Sequence, residues 1–405
     1  MIKMKLIIGS LFLASSFIAN ANDKQDKPAV FALNATALEK NKARIKSNDP
    51  LIMPAYKQML KEADKALEFG PVSVMEKKND PPSGDKHDYM SLAPYYWPDP
   101  SKKDGLPYIR KDGETNPEVK EYKDKEYMPK LCDVVHTLAL AYYFSDNKIY
   151  AEHAAKLLRV WFLDAATRMN PNLNFSQAMK GHNTGRGAGM IDARHFVKAI
   201  DAIGLLHGSK PWTAKDEMGM KAWFRDYLHW MQTSENGVDE MDAKNNHGVW
   251  YEAQRMSIAL YLDSLSLAKQ VAQNIKSRIE SQIDDKGFLP LEMERTTSLH
   301  YSTFAVEAFF IVARMGELTG DDIWNYTSPS GRSLKMAFNT LLPYYAGEKK
   351  WEGPQIKEFD FDEAIPLMAE ARKKFNCKQC GEYIKNIGGD GSTRLRTQLL
   401  TDTDF

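Results

Sequence analysis

The chain has 405 residues, 43% of them hydrophobic and 27% charged, with 24 glycines and 19 prolines. That composition excludes a collagenous, low-complexity or largely disordered chain, and it is long enough to bury a sizeable core. Lys plus Arg and Asp plus Glu each number 54, so no overall basic excess draws the protein to nucleic acid or to anionic lipid.

The N-terminus reads as an export signal. A short basic stretch holding Lys3 and Lys5 precedes an apolar run from Leu6 to Ala19, and Ala19-Asn20-Ala21 forms an A-x-A cleavage pattern. The run is short for a membrane span, which needs about 20 apolar residues. Removing residues 1–21 takes away two lysines and no acid, leaving 52 basic against 54 acidic residues. A mature chain of residues 22–405 is expected, periplasmic or secreted and without membrane insertion.

Beyond the signal, apolar residues recur at i, i+3, i+4 and i+7 over residues 52–69, 123–144, 148–162, 193–206, 214–232, 248–262, 267–283, 304–318, 334–345 and 361–375. Val249, Ala253, Met256 and Leu260 make one such stripe, and Phe304, Ala308, Ile311, Val312 and Met315 another. Alternating strands are scarce. Short turns such as Ser145-Asp146-Asn147 join successive helices, which points to antiparallel helical hairpins laid side by side. Two long segments interrupt them: residues 71–122, rich in proline and aromatics, and residues 166–190, rich in glycine and asparagine. Unpatterned segments of that length inside a domain are usually functional loops. The expectation is one all-α domain, a toroid of helical hairpins with its long loops gathered at one mouth.

Three cysteines are few for an exported protein. Cys377-Lys378-Gln379-Cys380 could form a local disulfide, stay reduced or bind metal, and Cys132 sits within an apolar helical pattern as a buried thiol.

Four clusters carry possible chemistry. His87, Tyr89, Tyr95, Tyr96 and Trp97, with Arg110 beyond, form a proline-fixed aromatic loop suited to stacking sugar rings, or else a loop packed on the rim. In Gly181-His182-Asn183-Thr184-Gly185-Arg186-Gly187 the glycines permit close approach to a ligand, and Arg186 can fork onto a carboxylate. The plainer alternative is a glycine-rich turn with Asn in left-handed positions. Asn245-Asn246-His247 opens a helix and brings His247, Trp250, Tyr251 and Gln254 near one another, although either Asn could simply be its cap. Finally, Arg295 and Tyr301 lie six residues apart at a helix entrance. They could face a cleft or form an ion pair and a core contact.

Together these supply hydrogen-bond donors, a histidine, tyrosines and an aromatic platform. β-Elimination on a uronic-acid polymer uses that set. The C5 proton is removed while Asn, Arg or protonated His neutralises the neighbouring carboxylate. Tyr or His takes the proton, and Tyr can protonate the leaving O4.

Asn245-Asn246-His247 followed by an aromatic, then Arg295 and Leu299-His300-Tyr301 some 50 residues later, resemble the alginate lyase superfamily. The loop Ser91–Pro100 and Asn183–Gly187 resemble the polysaccharide lyase family 38 branch more than family 5. The resemblance implies an (α/α) barrel of six or seven hairpins acting on an anionic polysaccharide, alginate or another polyuronate. It implies Asn246 or Asn183 as carboxylate neutraliser, His247 as base or neutraliser, Tyr301 as acid/base and Arg295 as support. Two rivals remain at this level. A glycoside hydrolase would draw its two carboxyl groups from Asp242, Glu252, Glu292, Glu294 and Glu307. A non-catalytic uronan-binding protein would keep the aromatic loop and Arg186 without needing His247 and Tyr301. No cofactor is called for, and no metal-ligand spacing such as H-E-x-x-H occurs. Activity is therefore expected to persist in chelator; loss restored by a single divalent ion would contradict that expectation.

Overall fold

The computed structural model describes residues 27–402, so the export signal expected over residues 1–21 lies outside the described residues. Fifteen α-helices dominate what is described: α1 (Ala35–Lys46), α2 (Met53–Ala66), α3 (Lys123–Ser145), α4 (Lys148–Leu158), α5 (Phe196–Leu206), α6 (Ala214–Thr233), α7 (Glu235–Met241), α8 (Asn246–Tyr261), α9 (Leu265–Gln282), α10 (Pro290–Met293), α11 (Ser298–Thr319), α12 (Leu334–Tyr345), α13 (Ile365–Lys374), α14 (Cys380–Gly388) and α15 (Thr397–Leu400). No helix among the described residues is long and apolar enough to cross a membrane.

The hairpins follow from short, capped connections. Asp146 takes a left-handed conformation after α3 and Asn147 caps α4, folding the second helix back on the first. Thr213 and Asp216 form a capping box at the start of α6. Helix α3 packs on α5, α5 on α8 and α8 on α11, while α4, α9 and α12 pack on α3, α8 and α11 respectively. The C-terminal α15 packs on α1, α2 and α13, bringing the two ends of the array together.

Burial runs almost all the way round the inner helices. Helix α8 buries nearly every residue from Asn246 to Tyr261, and α11 is similarly enclosed. One apolar cluster gathers α1 to α6 around Trp161, Phe196, Trp223 and Tyr227, and a second gathers α8 to α14 around Phe309, Phe338 and Phe375. Cys377 and Cys380 form a disulfide at the start of α14, and Cys132 is buried in the first cluster. The local disulfide is thus the alternative adopted by the pair.

The two long loops are not structureless. They contribute four short strands: β1 (Met90–Leu92), β2 (Tyr96–Trp97), β3 (Ile109–Arg110) and β4 (Phe175–Ala178). β1 pairs in parallel with β4, Met90 opposite Phe175, and β2 pairs antiparallel with β3, Tyr96 opposite Arg110. The first pairing stitches one loop to the other.

The N-terminal strap is held by one carboxylate. Asp201 on α5 accepts N–H groups from Phe31 at 2.7 Å, Ala32 at 3.3 Å and Leu33 at 2.7 Å. Burial raises the Asp201 carboxyl to about 6, although those N–H groups pull it down. Between the ordinary value of 3.8 and about 6, the folded state keeps a proton that the unfolded chain has lost. This contribution to stability therefore declines as pH rises through that window. Asp201→Ala, which strands the three donors, is expected to destabilise by roughly 1–3 kcal/mol in denaturant titrations. Asp201→Asn should flatten the pH dependence across the same window.

Candidate active site

The first turns of the inner helices meet at one mouth. Lys125 on α3, Lys198 on α5, Asn246, His247 and Trp250 on α8, and His300, Tyr301 and Phe304 on α11 all line a cleft of about 1070 Å³. Tyr95, Tyr96, Arg110 and Arg186 from the two loops complete its walls. The positive ends of helix dipoles favour anions at such a place.

Tyr301 occupies the first turn of α11. That helix begins at Ser298 rather than near residue 304, because buried Ser298, Leu299 and Ser302 extend its packed face forward. The Tyr301 hydroxyl lies 2.8 Å from that of Tyr95, and the Arg295 guanidinium sits 3.6 Å from the Tyr301 ring centroid. Arg295 is fixed in turn by Asp112, which accepts from its Nη2 at 2.8 Å and its Nε at 3.1 Å. Asp112 also accepts the Thr296 N–H, and Arg110 adds a further bond at 2.8 Å. Burial works against the Asp112 charge, yet Arg295 and these donors hold its carboxyl well below the usual range. An electrostatic argument from the sequence predicts a Tyr301 phenol lowered by Arg295 or His247. Instead it is raised, because burial and the adjoining Tyr95 outweigh the pull of Arg295. Tyr301 therefore rests as a neutral phenol.

On α8, the cap is Asn245, whose side chain accepts the His247 N–H. That frees Asn246 from capping. The Asn246 backbone N–H and side-chain Nδ2 instead reach the two oxygens of Glu292, at 2.6 and 2.7 Å. His247 Nδ1 lies 2.7 Å from Glu240 Oε1. A carboxylate only accepts, so Nδ1 carries the proton and Nε2 remains for the cleft. Trp250 stands over Phe304, ring centroids 4.9 Å apart.

The loops deliver Arg186 by a relay. Asp192, wholly buried, accepts from Tyr89 at 3.0 Å, Ser91 at 2.8 Å, Gln177 at 3.0 Å, and Lys125. Burial raises the Asp192 carboxyl, but Lys125 and the other donors overrule it and the net shift is downward. Gln177, oriented by that carboxylate, accepts from Arg186 at 2.8 Å, and Arg186 lies 5.4 Å from the Tyr96 ring centroid. The glycines nearby serve the fold rather than a ligand: a Cβ on Gly189 would come within 2.6 Å of the Ser176 carbonyl oxygen.

Several residues singled out in the sequence do not reach the cleft. Tyr89 is fully buried on Asp192, and Tyr251 is fully buried with its hydroxyl on the Met231 carbonyl. Both are core, drawn inward by the packed faces they sit on. His87 is held by the Arg168 carbonyl, and Trp97 donates to the Glu114 carbonyl; neither lines the cleft. Asn183 is exposed, its side chain accepting the Met179 N–H, so it closes a turn and leaves Asn246 as the amide at the site. Conversely, Asp112, Gln177, Glu240 and the positioning role of Glu292 have no signal in local spacing. Asp112 and Glu292 lie 183 and 46 residues from the side chains they hold, and Gln177 and Glu240, only 9 and 7 residues away, sit in no helical register with theirs; all four act through partners. His195 also lines the cleft, neutral, pushed down to about 2 by burial and by Arg194 and Lys198. No group of His, Cys, Asp and Glu among the described residues could hold a metal ion.

The alginate lyase family model matches residues 73–351. An alginate lyase from Bacteroides ovatus is 41% identical over 92% of this chain and 98% of that one, with a TM-score of 0.85. Alginate lyase A1-III from Sphingomonas species A1 matches at 16% identity and a TM-score of 0.57, covering 93% and 97%. A variant of A1-III complexed with a tetrasaccharide gives 16% and 0.58, covering 93% and 96%. These last two share the fold. No curated protein matches. By the extent of the family match and the identity to the Bacteroides ovatus enzyme, the chain belongs to the alginate lyase family and is a polysaccharide lyase.

Proposed function

We propose that this protein cleaves a polyuronate, alginate foremost, by β-elimination in the cleft between Tyr301, Arg295, Asn246 and His247. One observation carries the reading: a tyrosine hydroxyl, an arginine over its ring and a histidine–glutamate pair converge where four helix N-termini meet. A carboxylate bound there acidifies its own C5 proton once its charge is neutralised. Asn246 and Arg295 are the neutralising groups, joined by His247 where its ring is protonated and not needed as the base. Arg186 and Arg110, with Tyr95 and Tyr96, bind the flanking sugars. We assign the chain to the family 38 branch on the motifs Ser91–Pro100 and Asn183–Gly187. We further propose one catalytic domain, exported after cleavage following Ala21, where the Cys377–Cys380 disulfide is at home.

Stereochemistry divides the proton work. In mannuronate or glucuronate the C5 proton and the O4 leaving group share a face, so one residue can act as base and then as acid. Tyr301 fits that role as the phenolate: its resting proton first leaves by way of the Tyr95 hydroxyl 2.8 Å away, Arg295 stabilises the charge, and the phenolate then takes the C5 proton and returns it to O4. In guluronate the two groups lie on opposite faces. His247 Nε2 then takes the proton, and the resting phenol of Tyr301 protonates O4.

Initial rates on separate oligomannuronate and oligoguluronate, read from the ultraviolet absorbance of the unsaturated product, test the assignment. Tyr301→Phe should lose roughly 10² to 10⁴-fold on both substrates. His247→Ala should harm guluronate cleavage at least as much as mannuronate cleavage. Rates near wild type for Tyr301→Phe on both would sink the assignment.

Asp112 supplies a separate check. Asp112→Ala releases Arg295 without touching the substrate, so kcat should fall by about 10²-fold with a smaller change in KM. An unchanged kcat would remove Arg295 positioning from the mechanism.

A further inference from the structure

Every polar atom in the Asn246–Glu292 pair has a partner except one. Glu292, 1% exposed, accepts the Asn246 backbone N–H on Oε1 and Nδ2 on Oε2. Asn246 is equally enclosed, and its Oδ1 is buried with no hydrogen-bond partner. Asn246 is among the residues lining the cleft, and the end of its amide that Glu292 does not engage has no partner within the protein. In this arrangement that end is an acceptor, and it would meet a uronate carboxylate with like partial charge.

The two ends of an asparagine amide have the same shape, and their identity is set by the hydrogen bonds around them. Turning the amide over puts Oδ1 against Glu292 Oε2 and directs Nδ2 to the cleft. That orientation needs a donor on Oε2, which a neutral carboxyl group provides. Oε1 continues to accept the backbone N–H. All the polar atoms of the pair are then served, and the orphaned acceptor is replaced by a donor suited to an anion.

We propose that Glu292 is a positioning residue that works as a neutral carboxylic acid, turning the Asn246 amide so that Nδ2 meets the substrate carboxylate. This deepens the neutralising role given above to Asn246 and rests on it. The charged groups bearing on Glu292 are Arg295 and His247, both of which favour its ionised form. Burial opposes them and prevails, so its carboxyl is raised. A bound uronate, one amide away, adds a like charge and pushes in the same direction. The proton resides on Glu292 throughout and is not consumed in the reaction.

Glutamine distinguishes the two protonation states. In Glu292→Gln, the only orientation that satisfies both contacts has Oε1 accepting the backbone N–H and Nε2 donating to Asn246 Oδ1. That copies the neutral acid and fixes Nδ2 towards the cleft. Glu292→Gln should therefore keep kcat/KM within about 5-fold of wild type, whereas Glu292→Ala should lose roughly 10²-fold, the scale of a lost charge-stabilising donor. Glu292→Met, of similar volume, replaces the alanine variant if the cavity unfolds the chain. Wild-type activity should also decline as pH rises through the Glu292 titration, and Glu292→Gln should lose that part of the decline. Asn246→Ala is measured alongside. Near wild-type rates for Asn246→Ala would remove the neutralising role itself. A slow Asn246→Ala together with a Glu292→Gln as slow as the alanine or methionine variant would overturn the neutral-acid proposal alone.

Discussion

The Asp192 carboxylate is the constraint from which the cleft is built. A charge that deep is costly unless several donors surround it, and breaking one such partnership leaves the charge uncompensated. Its four donors come from three separated places: Tyr89 and Ser91 at β1, Gln177 in β4 and Lys125 in α3. Satisfying one buried anion thus brings both long loops onto the helical frame in a fixed register. The Ser91 hydroxyl also accepts the Gln177 N–H at 2.8 Å, so the same atoms set the β1–β4 alignment. Arg186 is placed through Gln177, two steps from the carboxylate. The reactive end of the site is held in the same manner, with Asp112 fixing Arg295, Glu240 fixing His247 and Glu292 fixing Asn246. Arg295, His247 and Asn246 are thus each held by an acidic side chain, whereas Tyr301 is placed by its own helix and by the Tyr95 hydroxyl.

That arrangement suits an anionic ligand. Cationic donors from Arg295, Arg186, Lys125 and Lys198 line the space where charge must be stabilised, and they outweigh the acidic side chains, such as Glu240 and Glu294, that share its wall by standing at the reacting end. Placing the inner helices with their first turns at the mouth adds the positive ends of their dipoles without adding net charge. A site organised in this way is set before substrate arrives and spends little binding energy on reorganisation. The phenol of Tyr301 follows the same logic, since burial keeps its proton in place in the empty cleft.

Much of the helical frame is legible in the sequence because long segments with a buried face repeat at helical spacing. Residues 334–345 and 214–232 match α12 and α6 almost to the residue. Helix α1 leaves no such trace: its enclosed face includes Asn41 and Lys42, and Asn41 donates to the carbonyls of Gln398, Leu399 and Thr401. A polar side chain buried by distant partners looks like a solvated one in sequence. The same reasoning separates the site residues. Tyr301, Arg295, Asn246 and His247 stand in compact motifs at helix starts and are visible there. Tyr251 stands in the same motif as His247, and Tyr89 in the aromatic loop, yet both face inward, because an aromatic in such a motif is as useful to the core as to the cleft. Asp112 is invisible for the opposite reason, lying 183 residues from the arginine it holds.

The strap at residues 31–33 has a consequence for the order in which the chain assembles. Phe31 and Asp201 are separated by 170 residues, so the earliest described segment to be synthesised waits for a partner made much later. Gly204 sharpens the dependence, because a Cβ there would lie 1.9 Å from the Ala29 carbonyl oxygen. The groove on α5 is shaped for that backbone and for little else. Contacts of such long range carry a large closure cost and tend to form late. Until then the Asp201 carboxyl and the face around Gly204 stand open, and the segment that belongs there is free. Docking of the strap is in this sense a closing act of folding, one that joins the two ends of a biosynthetic interval rather than two neighbours in sequence.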